Sequence, residues 1–90
     1  MKTIRLDAKT DVTFDEAQSL AREEAARHFS EPMELAWLNR ETGRHCPDVD
    51  CCQAERKESW EIYAENRGGS LRVEIGERFI FIFREGAVQL

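Results

Sequence analysis

Apolar and polar positions alternate along this chain with two different periods, and the period assigns most of the elements. Ile4 and Leu6 alternate with Thr3, Arg5 and Asp7, which predicts a short strand at a sheet edge. From Thr13 the period changes. Phe14, Ala17, Leu20, Ala21, Ala25 and Phe29 recur at steps of three and four, so a helix places them on one broad face. Thr13-Phe14-Asp15-Glu16 supplies its start. The Thr13 hydroxyl can accept the backbone N–H three residues on, and Glu16 can accept the Thr13 N–H. The helix is predicted to run to about Phe29, with Pro32 stopping it. Half of its apolar face is alanine, and small side chains let a helix lie close against a sheet.

Period-two patterns return after Pro32. Met33, Leu35 and Trp37 alternate with Glu34, Ala36 and Leu38. Residues 59–65 place Trp60, Ile62 and Ala64 on one side and Glu61, Tyr63 and Glu65 on the other, which reads as a third strand. Asn66-Arg67-Gly68-Gly69 then reads as a tight hairpin turn. Leu71, Val73 and Ile75 alternate with Arg72 and Glu74, and Gly76-Glu77 breaks the run. Phe79-Ile80-Phe81-Ile82-Phe83 is apolar on both faces, as expected of a central strand or one covered by a second copy. The predicted order is β-α-β-β-β-β. It describes an α+β fold, one helix packed on a four- to five-stranded mostly antiparallel sheet, whose three C-terminal strands form a meander. The outline is cystatin-like, an analogy of fold that carries no function. The apolar positions around Tyr63, Ile80, Ile82 and Leu38 predict a homodimer through the sheet.

Composition narrows the class. Ninety residues, 1–90, are read as one domain. The net charge is −5, which argues against nucleic acid, whose phosphates are held by clustered Lys and Arg. No apolar run is long enough to span a membrane. The N-terminal residues lack the apolar stretch of an export signal, so a cytoplasmic location is expected. Three cysteines cannot form a fully paired disulfide framework, which fits free thiols in a reducing compartment.

The connection over about residues 40–58 fits none of these periods and holds the candidate chemistry. His45, Cys46, Cys51 and Cys52 lie within eight residues, and thiolate and imidazole are zinc ligands. Both pairs are adjacent in sequence, and adjacent side chains diverge. One donor from each pair, joined by His28 or a carboxylate, is the easier metal set. Asp50-Cys51-Cys52-Gln53 resembles a helix start, where a thiol can become reactive, although Asp48 and Asp50 oppose that. A disulfide from Cys46 to Cys51 or Cys52 would close a small loop. The alternative to all of these is that the cysteines pack as small apolar side chains. Elsewhere, Glu24 and His28 stand one helical turn apart and suit either an acid–base pair or a surface pair. Trp37 and Trp60 suit a pocket wall or the core. The familiar dinucleotide, phosphate-loop, metalloprotease and serine-hydrolase motifs are not found. The leading expectation is a non-enzymatic binding or interaction module without a cofactor. A zinc or thiol site at His45, Cys46, Cys51 and Cys52 is the alternative.

Trp37, Thr42-Gly43, His45, Pro47, Cys51-Cys52 and Asn66-Arg67-Gly68-Gly69 carry a resemblance to a small family of uncharacterised bacterial and archaeal proteins. The similar stretch covers about residues 13–83. The resemblance implies a stand-alone domain and assigns no catalytic or binding residue.

Overall fold

The protein is described from a computed structural model covering residues 1–9, 11–46 and 59–86. Its elements are β1 (Lys2–Leu6), α1 (Phe14–Ala26), β2 (Pro32–Asn39), β3 (Arg44–Cys46), α2 (Ser59–Asn66), β4 (Leu71–Ile75) and β5 (Phe79–Glu85). The strands form one mixed sheet in the order β1-β4-β5-β2-β3. β1 runs parallel to β4, and the other three pairings are antiparallel. The fold is α+β with a mostly antiparallel sheet, and helices cover both faces.

β5 is the middle strand, and its composition follows from that position. Phe79, Phe81 and Phe83 join Leu71, Val73 and Ile75 of β4 in a core against Ala17, Ala21 and Ala25 of α1. The three alanines are fully buried and let the helix settle on the sheet. Leu20, also assigned to that face, remains 39% exposed at its margin. The capping box forms as expected, with Glu16 N donating to Thr13 Oγ1 and Thr13 N donating to Glu16 Oε1. The helix ends at Ala26, slightly short of Phe29.

Residues 59–65 form the helix α2 instead of the expected strand. Trp60 and Ala64, one helical turn apart, are buried against Ala36, Ile80 and Ile82. A segment this short fits either period, and the apolar second face of the sheet decides it. That face had suggested a homodimer, but α2 covers it within the chain, so the apolar pattern no longer requires a second copy. The Asn66-Arg67-Gly68-Gly69 turn is correspondingly a helix terminus. Gly68 takes a left-handed φ of 85°, and its N–H and that of Gly69 donate back to the carbonyls of Glu65 and Ala64. No three-stranded C-terminal meander forms. β4 and β5 make a hairpin, and β5 pairs next with β2. The cystatin-like outline therefore holds for α1 on one face and departs at α2 and at the parallel β1.

In β2 the register shifts between Glu34 and Ala36, leaving Leu35 unpaired. The bulge turns Leu35 and Ala36 toward the α2 cluster and Trp37 toward the α1 cluster. Within the connection over 40–58, Arg44–Cys46 pairs with β2 as the edge strand β3. Among the described residues no helix is long and apolar enough to cross a membrane.

Candidate binding site

The loops after β1, β2 and β4 meet at one end of the sheet, and Arg78 joins them. Its Nη2 donates to the Val12 carbonyl at 2.6 Å and its Nη1 to the Lys9 carbonyl at 3.2 Å. Its Nε is paired with Glu41. The Gly76 N–H donates to Leu6 and the Arg40 N–H to the Arg78 carbonyl, both at 2.8 Å. Five backbone and side-chain links thus hold the loops as one rim.

Two clefts flank this rim. The first, of about 440 Å³, is lined by Trp37, Gly43, Arg44 and His45. The indole of Trp37 is half-buried and braced by Phe14, with ring centroids 4.6 Å apart. Arg44 is exposed and His45 half-buried. An aromatic face thus meets the Arg44 cation, whose guanidinium donates hydrogen bonds, while His45, opposite Leu38, turns its ring to the other face of the sheet. The second cleft, of about 410 Å³, is lined by Arg5, Arg40, Arg72, Glu74, Gly76 and Glu77. It lies beside α2, on the part of the sheet formed by β1 and β4. Glu74 pairs with Arg5 at 3.4 Å and with Arg72 at 2.9 Å. Arg72 also reaches Glu61 at 3.4 Å, and its guanidinium carbon lies 5.9 Å from the centroid of the Trp60 ring.

The candidates from the sequence are only partly brought together. In β3, Cys46 stands opposite Trp37 and His45 opposite Leu38. Facing residues of a ladder share a side, so the His45 and Cys46 side chains leave the sheet on opposite faces. That geometry separates them as joint ligands. Cys46 is a free, exposed thiol. Cys51 and Cys52, together with the helix start at Asp50, lie outside the described residues. Among the described residues no group of three or more His, Cys, Asp or Glu is placed to hold a metal ion.

Glu24 and His28 do meet, at 3.0 Å, and Glu24 also pairs with Arg27 at 3.5 Å. Neither residue lines the two clefts. Trp60 belongs to the core, 1% exposed. No local pattern in the sequence marks the arginines of the second cleft. Arg5, Arg40 and Arg72 belong to three distant segments, and only the parallel β1–β4 pairing and the packing of loops make them neighbours.

The chain belongs to a family of domains of unknown function, DUF5619, whose match spans residues 1–83. An uncharacterised protein of Archaeoglobus fulgidus is 31% identical over 84 residues, covering 93% of this chain and 87% of that protein. The crystal structure of an Archaeoglobus fulgidus protein described as novel has a TM-score of 0.83 and 29% identity, covering 99% of each chain. These likenesses agree with the family resemblance carried by the sequence motifs, and they bring no activity with them.

Proposed function

We propose that this protein is a non-enzymatic binding module and that its ligand is a small planar molecule bearing negative charge. The observation that carries this reading is the cleft of about 440 Å³ lined by Trp37, Arg44 and His45. Its size suits a small ligand. The indole offers a surface for stacking, and the Arg44 guanidinium offers charge-assisted hydrogen bonds to an acid. Benzoate, an aromatic ring with one carboxylate, is the simplest probe. Added to the isotope-labelled protein, it is expected to shift the amide resonances of Trp37, Gly43, Arg44 and His45 along a saturable curve. Arg44→Gln, at an exposed position, is expected to weaken binding by about fivefold to tenfold. Unsaturated shifts, or equal binding by the variant, would overturn the reading.

A zinc or thiol site is the second reading, supported by the exposed Cys46 thiol beside His45 on the strand that lines the same cleft. Because adjacent side chains diverge, the proposed site takes one of His45 and Cys46 together with one of Cys51 and Cys52, completed by His28 or a carboxylate. Elemental mass spectrometry of protein purified without chelator tests the metal form. About one zinc per chain supports it, and zinc-free protein with freely titrating thiols counts against it. The exposed thiol also suits the cytoplasmic location included in this proposal.

A further inference from the structure

The second cleft has a different chemistry. Its lining sets three guanidinium groups against two carboxylates, in a chain whose net charge is −5. We propose that this cleft is a binding site for a small tetrahedral oxyanion of the phosphate type, separate from the cleft at Trp37 and independent of the function proposed for it.

The arrangement is built by the topology. Parallel pairing sets Thr3 beside Arg72 and Arg5 beside Glu74. Leu71, Val73 and Ile75 point into the α1 core, so Arg72 and Glu74 project from the other face, where Arg5 joins them. Arg40 enters from the turn after β2, and its Nη1 donates to the Glu77 carbonyl at 3.3 Å.

The carboxylates hold the arginines without using all their donors. Arg72 contacts Glu74 through Nε and Glu61 through Nη1. Arg5 contacts Glu74 through Nε alone. A guanidinium has five N–H donors in a rigid fork. The Nη2 groups of Arg5, Arg40 and Arg72, and Nη1 of Arg5, therefore have no bonded partner among the described residues. Glu74 already faces two cations, which lessens its repulsion of an incoming anion. A tetrahedral oxyanion offers acceptors in three directions, and the three arginines come from three elements. A planar carboxylate is better matched by one fork.

Inorganic phosphate is the probe, titrated into the full isotope-labelled chain with ionic strength held constant by sodium chloride. The expected result is a saturable shift of the Arg5, Arg72, Gly76 and Glu77 amides, with a change in Trp60 emission because Arg72 lies against that ring. Arg5 and Arg40 are exposed, so Arg5→Gln and Arg40→Gln should keep the melting temperature of the free protein while each weakens phosphate binding by about fivefold. Arg44→Gln, in the other cleft, should leave phosphate binding unchanged. That variant separates the two proposals, since either cleft can fail without the other. Shifts that remain linear or vanish under matched chloride would reduce the effect to screening and overturn the site. Equal phosphate affinity in Arg5→Gln, Arg40→Gln and the unmodified chain would overturn it as well.

Discussion

Gly69 shows how closely one residue can be specified. A Cβ built there would lie 2.9 Å from the Ala64 carbonyl oxygen and 2.9 Å from Cγ2 of Ile82. One neighbour is backbone and the other is buried in the α2 cluster, so neither can yield cheaply. The preceding Gly68 supplies the positive φ that ends α2, and the Gly69 N–H closes the motif on Ala64 at 2.8 Å. The pair thus has two separate reasons to be glycine, one of backbone conformation and one of space. Gly69→Ala is expected to destabilise the protein by about 1–3 kcal/mol, the usual cost of overpacking. Urea unfolding followed by circular dichroism measures it, and an unchanged midpoint would show that α2 shifts to make room. In the sequence the same four residues suit a hairpin turn equally well, because both structures need a residue tolerant of positive φ. What distinguishes them is whether the preceding segment is a strand or a helix.

At the scale of elements the question is what holds α2. It is an eight-residue helix, too short to be stable alone. Trp60 and Ala64 anchor it on Ala36, Ile80 and Ile82, and Arg84 Nη1 donates to the Arg67 carbonyl at its C-terminal end at 2.8 Å. Arg67 lies over the Tyr63 ring at 4.5 Å, and Arg72 ties Glu61 to the sheet. Most of the docking energy falls to Trp60, the largest fully buried side chain. Trp60→Ala is expected to cost about 3–5 kcal/mol and to release α2 from the sheet. Trp60→Phe provides the contrast. The indole Nε1 is buried with no hydrogen-bond partner among the described residues, so replacing it removes an unsatisfied donor along with some packing. That variant is expected to retain most of the stability, as read from the same unfolding curves and from hydrogen exchange of the α2 amides. Equal losses in both variants would assign the energy to something other than ring burial.

Over the whole molecule, the sheet order places β5 at the centre with a helix-covered core on each face: phenylalanines on one side, isoleucines on the other. The loops ending β1, β2 and β4 then gather at one end, where Arg78 bonds to two backbone carbonyls and to Glu41. Both proposed sites border this rim. A rim held from several sides can keep side chains in position before a ligand arrives, which lowers the cost of ordering them on binding. The two clefts divide the chemistry between them. One presents an aromatic face with Arg44, and the other presents arginines held by carboxylates. The two can be tested separately, since Arg44 lines only the first cleft and Arg5 and Arg40 only the second.

Much of the fold is legible in the chain. The capping box at Thr13, the alanine face of α1, the alternating β4 and the doubly apolar β5 each depend on local pattern. Local pattern has a direct physical meaning when one face is buried and the other wet. Three features were decided only in three dimensions. Residues 59–66 became a helix because the second face of β5 needed a cover and a short segment fits either period. Arg44–Cys46 became a strand because β2 offered a free edge, although three residues are too few to show alternation. The arginines became neighbours because β1 pairs parallel with β4, a pairing between segments nearly seventy residues apart in order, Lys2 with Leu71. The sequence determined which side chains seek burial and where a helix begins. The tertiary structure decided what covers what, and therefore where charges meet, because pairing and packing act across distances that no local period records.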